Sequence, residues 1–541
     1  MSSIDFRSLL LSAVPHLISV VVMFFAACML FSPVMLEGKR LNQGDTQNNI
    51  GMAKEARDVQ QREGEVPHWT DSMFGGMPTT QITGTDIGTA PWWTWMAIRK
   101  VIPIEVGTIV VAMLSAYVLG LCLGLSPWLS LLLGLGFGLS SLNVLYLSAG
   151  HATKVRAIAT MPGVLAGVIL AYRGRMWAGA GVAAWFAALH LAADHVQMTY
   201  YLLFLLGAVS VAAWIRAVLN GEGIKVAKTT GVLALAGLLS VLPQTGQLAL
   251  TQQYSEYTTR GKANLGGNGD EKEAVQDGLD RDYILEYSMA RGEWWSIAIP
   301  DVKGGNNQLY WGEQRFSGGA FYFGALAFAL CLAWFIAGTS WLRWPLLAIW
   351  GLAVVLSWRD ATALTDVFLD HVPLFNKFRD TKMMLVLVQL IVPLGAAMAL
   401  HEMMQPESAK RWKRWTVGGA AAAVLMLAFY AMPKVWFDFA SAIRPDVAME
   451  QIGKRVVGMR IDVFREDVLR SFGYAAVGLM FTLALVKRWT QARYIVMGAV
   501  FITAVDLLSV DGRYLSDANY ISQLDKRFPV SYTHLRAHET S

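Results

Sequence analysis

The sequence predicts an all-α, polytopic transmembrane bundle of about thirteen helices with long outer loops and juxtamembrane helices. Three observations carry this expectation. Of 541 residues, 55% are hydrophobic and only 16% charged, with 49 Gly and 20 Trp, a balance far from that of a soluble domain. The apolar residues gather into runs long enough to cross a hydrocarbon core of roughly 30 Å, which takes about 20 residues as a helix. Lys and Arg concentrate in alternate short connections between those runs.

In chain order, residues 13–35 form the first run, read as an uncleaved anchor because its apolar part is long and no small-residue cleavage site follows. Further runs cover residues 103–123, 127–147, 157–172, 176–191, 198–215 and 229–250, then 318–337, 344–357, 383–400, 415–432, 468–486 and 494–510. Residues 1–510 are therefore expected to form one multi-spanning domain, residues 511–530 to begin a further outer segment, and residues 531–541 to be a non-native tail. The stretch SYTHLRAHETS resembles a translated adaptor, and the chain reads as truncated before it. Cys28, Cys122 and Cys331 all lie inside apolar runs, so neither a disulfide framework nor a thiolate metal site is expected.

The connections holding Arg173 and Arg175, Arg216, Lys225 and Lys228, Arg343, Lys410 to Arg414, and Lys487 to Arg493 place the amino terminus and these turns in the cytoplasm. The long loops over residues 37–100, 251–317, 358–382 and 433–467 then lie on the outer face, where long polar segments carry function more often than mere connection. A net charge of +5 spread over short turns gives no basic surface for nucleic acid, so no nucleic-acid partner is expected.

On that outer face the unusual polar residues fall at helix ends. Asp45 stands in NQGDTQNN, just beyond the first run. It is either the N-cap of a following helix, a base toward an acceptor hydroxyl, or a metal ligand. His151 and Lys154 stand in SAGHATKVR; Asp194, His195 and Gln197 stand in LAADHVQMTYY. Ionisable groups near membrane helix ends need a partner or water, which makes a cluster of them a site candidate. Lys154 and Arg156 have a plainer reading, snorkelling toward headgroups. The Asp45 carboxylate is expected in the largest outward-opening cavity, shared with the segments of His151, His195 and Arg379.

Residues 48–62 read as an amphipathic helix lying along the headgroups, Ala90–Ala97 as an aromatic interfacial segment, and Gly75, Gly76 and Pro78 as a turn that shapes the loop. In the loop over residues 251–317, Tyr254, Tyr257, Trp294 and Trp295 offer flat faces for sugars or headgroups, and Arg260 and Lys262 offer contacts to phosphate.

The ordered series NQGDTQNN, HWTDSMFGGMP, AGHATKV, DHVQMTYY, EYTTRGKANL, EWWSIAIPDVKGG and PLFNKFRDTK resembles the YfhO family of bacterial membrane proteins, from roughly Ser12 to Pro529. The resemblance implies an architecture like that of the GT-C glycosyltransferases, a polyprenyl-phosphate sugar donor, a cell-envelope glycan or polymer as acceptor, and residence in the bacterial plasma membrane. It implies that Asp45 is the first-loop carboxylate at the catalytic centre. Lys154 and Arg379 would offset charge on the departing lipid phosphate, and Asp194 and His195 would orient hydroxyls. His151, Gln197 and Arg260 complete the expected substrate-binding set. No cofactor is expected, with a divalent metal left open. Two other readings stand beside this one: a lipid or lipid-sugar flippase, and a noncatalytic scaffold for envelope assembly.

Overall fold

A computed structural model describes residues 6–83, 88–258, 260–261, 278–305, 309–314, 319–441 and 453–522. About 75% of it is α-helical, with almost no sheet. Among the described residues ten helices are long and apolar enough to cross a membrane. Three shorter apolar helices, Met176–Leu191, Ala325–Ala337 and Arg343–Leu356, accompany them. The chain is thus a multi-pass membrane protein. The end of the sequence from residue 523, including the suspected tail, lies outside the described residues.

Burial sorts the helices into layers. Thr381–Met404 is enclosed along its whole apolar length, and the segment Pro127–Ala149 and the helix Ala152–Tyr172 are nearly so. By contrast, Val196–Leu219, Gly223–Ser255 and Leu11–Leu30 expose most of their apolar surface, the arrangement expected of helices that face lipid. Small residues set the closest approach. A Cβ on Gly167 would lie 2.2 Å from the backbone nitrogen of Ala183, and one on Gly179 would lie 2.3 Å from that of Ala171, so the hairpin of Ala152–Tyr172 with Met176–Leu191 packs backbone to backbone.

Inside the buried layer, the segment Pro127–Ala149 is two helices, Pro127–Gly138 and Ser141–Ala149. The break leaves helix-end carbonyls without intrahelical donors. Asn143 Nδ2 donates to Phe137 O and Gly138 O, each at 3.0 Å, and Gln389 Nε2 donates to Phe137 O at 3.1 Å. Both amides are fully buried. Irregular backbone at this depth persists because protein side chains, in place of water, satisfy it.

Several expectations need correction. Residues 318–337 do not form one helix: the helix begins at Ala325, and residues 320–323 run extended and fully buried against the start of the helix Ser141–Ala149. Tyr322 N donates to Ser141 Oγ at 2.8 Å, while Ser141 N donates to Tyr322 O at 3.2 Å. An apolar run records burial, and an extended plug buried in protein is as apolar as a lipid-facing helix. The last outer loop is also shorter than expected, because one helix runs Gly453–Val486 and carries charged residues in its first half.

Two short antiparallel ribbons organise one face. Arg40 pairs with Ile521 and Leu41 with Tyr520, tying the segment after the first helix to the segment after the last. Trp69–Thr70 pairs with Met77–Pro78 across the expected glycine turn. Gly76 has φ +120, and a Cβ there would sit 2.7 Å from the Trp69 indole, so this turn requires glycine.

Asn143→Ala removes the side chain that closes the helix break and leaves a buried carbonyl unsatisfied. It should destabilise the protein by about 1–3 kcal/mol, read as a lower thermal unfolding temperature in detergent.

Candidate functional site

Asp45 lies in the first turn of the helix Gly44–Met52, with Gln43 as the flanking residue and no side-chain cap. The N-cap reading of Asp45 therefore fails. Its carboxylate still complements the positive end of the helix dipole. Gln43 Nε2 donates to Leu147 O at 2.6 Å, and Thr46 Oγ1 donates to Gln43 Oε1 at 2.9 Å, clamping this helix start onto the end of Ser141–Ala149. That second helix stops at Gly150, whose φ of +97 allows His151 N to reach Tyr146 O at 2.8 Å and Gly150 N to reach Leu147 O at 3.0 Å. A Cβ on Gly150 would lie 2.9 Å from Thr46 N, so the AGH turn approaches the Asp45 helix as closely as backbone allows.

This turn delivers His151 to Asp45. His151 Nε2 lies 2.8 Å from Asp45 Oδ2, and Lys154 Nζ lies 3.3 Å from His151 Nδ1. Burial first, and the Lys154 ammonium second, hold the His151 imidazole below its ordinary value, against the pull of Asp45. The neutral ring then donates from Nε2 to Asp45 and accepts at Nδ1 from Lys154, the tautomer its two partners select. Lys154 is only 4% exposed and stands 4.1 Å from the centre of the Tyr146 ring. It points into the protein on the first turn of the helix Ala152–Tyr172, so snorkelling is not its role. Asp45, at 59% side-chain exposure, is the open end of this Asp–His–Lys chain.

The other candidates divide. His195 lies in the electrostatic field of Lys154 and His151; burial pushes its imidazole down to about 3, and its shielded Nδ1 has no hydrogen-bond partner among the described residues. Gln197 Nε2 donates to Tyr201 Oη at 2.9 Å and to Arg379 O at 2.7 Å, joining the start of Val196–Leu219 to the Arg379 segment. Arg379 stacks over Tyr283 and Tyr287, with 5.4 and 5.0 Å to the ring centres, and its charge reaches both Lys154 and Arg260. Arg260 Nε donates to Lys377 O at 3.1 Å, and Lys377 Nζ donates to Arg260 O at 3.0 Å. Asp194 turns to a neighbouring group, accepting from Gln247 Nε2 at 3.1 Å and facing Arg156. Lys262 lies outside the described residues.

Two residues essential to this arrangement were not singled out from sequence. Asp380 and Lys382, 8% and 2% exposed, form an ion pair at 2.6 Å in the segment that follows Arg379. Lys382 also donates to Tyr287 O, and the Asp380 carboxylate exerts the largest attraction on Lys154. The available signal was the RDTK stretch at the head of an apolar run, where opposite charges must pair to be buried.

A cavity of about 460 Å³ is lined by Asp282, Tyr283, Leu285, Glu286 and Arg359. It adjoins Arg379 through Tyr283, and Asp45 is not part of its wall. Trp294 and Trp295 stack on each other at 4.1 Å, and Trp295 packs edge-on against Phe328 and Phe429, so this pair fills space between helices. Ala53, on the apolar side of the expected amphipathic helix, packs against Met77 and Ile82 of its own loop, and the stretch divides into two helices, Gly44–Met52 and Lys54–Glu63. Among the described residues no group of three or more His, Cys, Asp or Glu is placed to hold a metal ion.

Fold and site together define a multi-pass α-helical membrane protein with a charged, partly buried polar cluster at one end of its most enclosed helices. No family model, curated protein or solved structure matches the chain.

Lys382→Met leaves Asp380 buried without its counter-ion and should cost about 3–5 kcal/mol, while the double change Lys382→Met with Asp380→Leu should recover much of that loss. Thermal unfolding of wild type, Lys382→Met, Asp380→Leu and the double variant checks the cycle.

Proposed function

We propose that this protein is an integral-membrane glycosyltransferase that moves a sugar from a polyprenyl-phosphate carrier to a cell-envelope acceptor on the outer face. The observation that carries the reading is the exposed Asp45 carboxylate held by His151 at 2.8 Å, with the buried Lys154 behind it. An acceptor hydroxyl gives its proton to Asp45 while its oxygen attacks the anomeric carbon. The bond from that carbon to the phosphate oxygen breaks, and the electron pair leaves with the phosphate. His151 fixes the carboxylate, which keeps the base in register with the acceptor.

Four cations, Lys154, Lys382, Arg379 and Arg260, lie within one electrostatic neighbourhood that Asp45 and Asp380 only partly neutralise. Such an excess suits a departing anionic phosphate, and stabilisation aimed at charge growing in the transition state is the larger part of what a fixed site supplies. Orientation follows the same reading, with the amino terminus in the cytoplasm. The ribbon of Arg40–Leu41 with Tyr520–Ile521 brings the ends of the first and last long helices to one face. A chain that starts on the other face then crosses an odd number of times. Ten long helices and three short apolar ones satisfy this together.

A second reading, transport of a lipid or lipid-linked sugar, draws on the break within Pro127–Ala149, since broken helices at bilayer depth mark many transporter sites. Both Asn143 Oδ1 and Gln389 Oε1 at that break lack partners among the described residues. The two readings part on whether a new glycosidic bond forms.

Asp45→Asn preserves size and most hydrogen bonding but accepts no proton. Sugar transfer by the purified protein should fall about 10² to 10⁴-fold, with binding of the lipid-linked donor little changed. Transfer at the parental rate would overturn the mechanism, and lipid-sugar movement without a new bond would favour transport.

The orientation has its own test. An impermeant thiol reagent applied to intact cells should label Tyr257→Cys, which is 77% exposed, and miss Glu407→Cys. The reverse pattern would invert the topology.

A further inference from the structure

A second concavity lies at the opposite end of the helix that begins beside His151. The helix Ala152–Tyr172 has 21 residues, about 31 Å at 1.5 Å per residue, so its far end reaches the other membrane face. There a cavity of about 490 Å³ opens, with Arg173, Arg216 and Lys225 at its rim and Glu222 among them. Its apolar wall includes Ile169, Ala213, Val226, Leu342 and Met398. We infer that this cavity binds the phosphate headgroup of an anionic membrane lipid, with the lipid's chains running down the apolar wall into the bilayer.

The charge arithmetic favours an anion. Three cations and one carboxylate leave a local excess of two positive charges. Glu222 faces Lys225 at 3.5 Å, with both side chains more than half exposed, so the pair is weak and open to competition from a phosphate. Arg216 has no ion-pair partner among the described residues. Arg173 is already positioned: its Nη1 donates to Leu123 O at 2.5 Å, and its Nη2 lies 3.3 Å from where a Cβ on Gly124 would stand. Gly124 has φ +79, so the turn that admits this guanidinium also needs glycine. Asn220 and Ser340 add neutral groups able to hydrogen-bond phosphate or glycerol oxygens.

Amphiphile rather than soluble anion follows from the surroundings. The helices Val196–Leu219 and Gly223–Ser255, which supply Arg216 and Lys225, are the least buried of the long helices. Ile215, Val218, Leu219 and Ile224 beside the cavity are all more than half exposed, a surface that belongs in contact with lipid chains. A general bias of loop charge would spread cations over separate turns. Here the turn carrying Arg173 and the hairpin carrying Arg216 and Lys225 converge on one hollow with an apolar floor, the form taken by lipid-headgroup pockets between transmembrane helices. Nothing in this site depends on glycosyl transfer.

The test is lipid retention by the purified full chain, measured by native mass spectrometry after equilibration with mixed phosphatidylglycerol and phosphatidylcholine. The wild type should retain phosphatidylglycerol in preference. The double variant R216Q/K225Q should retain it about twenty-fivefold less well, from about fivefold per surface cation, while its unfolding temperature in phosphatidylcholine stays unchanged. R62Q, a cation of the outer loop, should retain it as the wild type does. Equal retention by R216Q/K225Q and wild type would overturn the site. Displacement of the lipid by inorganic phosphate at equal concentration would overturn the lipid assignment and identify a soluble phosphate ligand.

Discussion

The ion pair between Asp380 and Lys382 holds the charged end of the molecule together. Both residues are almost wholly buried at the head of the enclosed helix Thr381–Met404. Asp380 takes a left-handed backbone with φ 62, a conformation an Asp tolerates better than most side chains, and that turn aims its carboxylate inward. Its own N–H donates to Ile284 O at 3.0 Å, Lys382 reaches Tyr287 O, and Thr381 meets Ser288 at 2.9 Å. The segment 279–289 is thereby fixed to the core helix. The same carboxylate supports the Lys154 ammonium, which in turn sets the tautomer of His151 and through it the position of Asp45. Position at the open end of the site thus depends on a buried charge pair.

A second set of buried charges does comparable work without joining the site. Arg513 binds Asp467 through two contacts at 2.7 and 2.8 Å and Asp301 at 3.0 Å, and Arg470 binds Asp506 at 2.7 Å beside Tyr322. Burial first, then the Asp467 charge, raises Asp301 to about 6. These contacts seat the extended plug of residues 320–323 and the segment after the last helix. The plug has no helical hydrogen bonds of its own, so its backbone relies on Ser141, Ser296 and Tyr514 for partners.

The two ends of the helix Ala152–Tyr172 show how one element serves two surfaces. At its start, the close approach of Gly150 to Thr46 places an imidazole against a carboxylate. At its finish, Arg173 caps a hollow whose other cations come from helices that face lipid. Both arrangements rest on glycines with positive φ at the adjoining turns, Gly150 and Gly124, because only a residue without Cβ lets a polar side chain approach backbone so closely.

The sequence by itself determined the class of this protein, since composition and the length of apolar runs are properties of the chain alone. It also located Asp45, His151 and Lys154 as neighbours of one face, because ionisable residues at the ends of apolar runs are rare enough to stand out. What it could not distinguish was why a run is apolar. Residues 320–323 are buried as an extended plug and Trp295 is packed between helices, yet each reads as lipid-facing or sugar-facing surface. Nor could spacing reveal that Asp194 turns toward Gln247, or that Arg173, Arg216 and Lys225 share a hollow. Those relations join residues far apart in the chain. Only the tertiary structure decided them, because the cost of burying a charge depends on which partner the fold brings within reach.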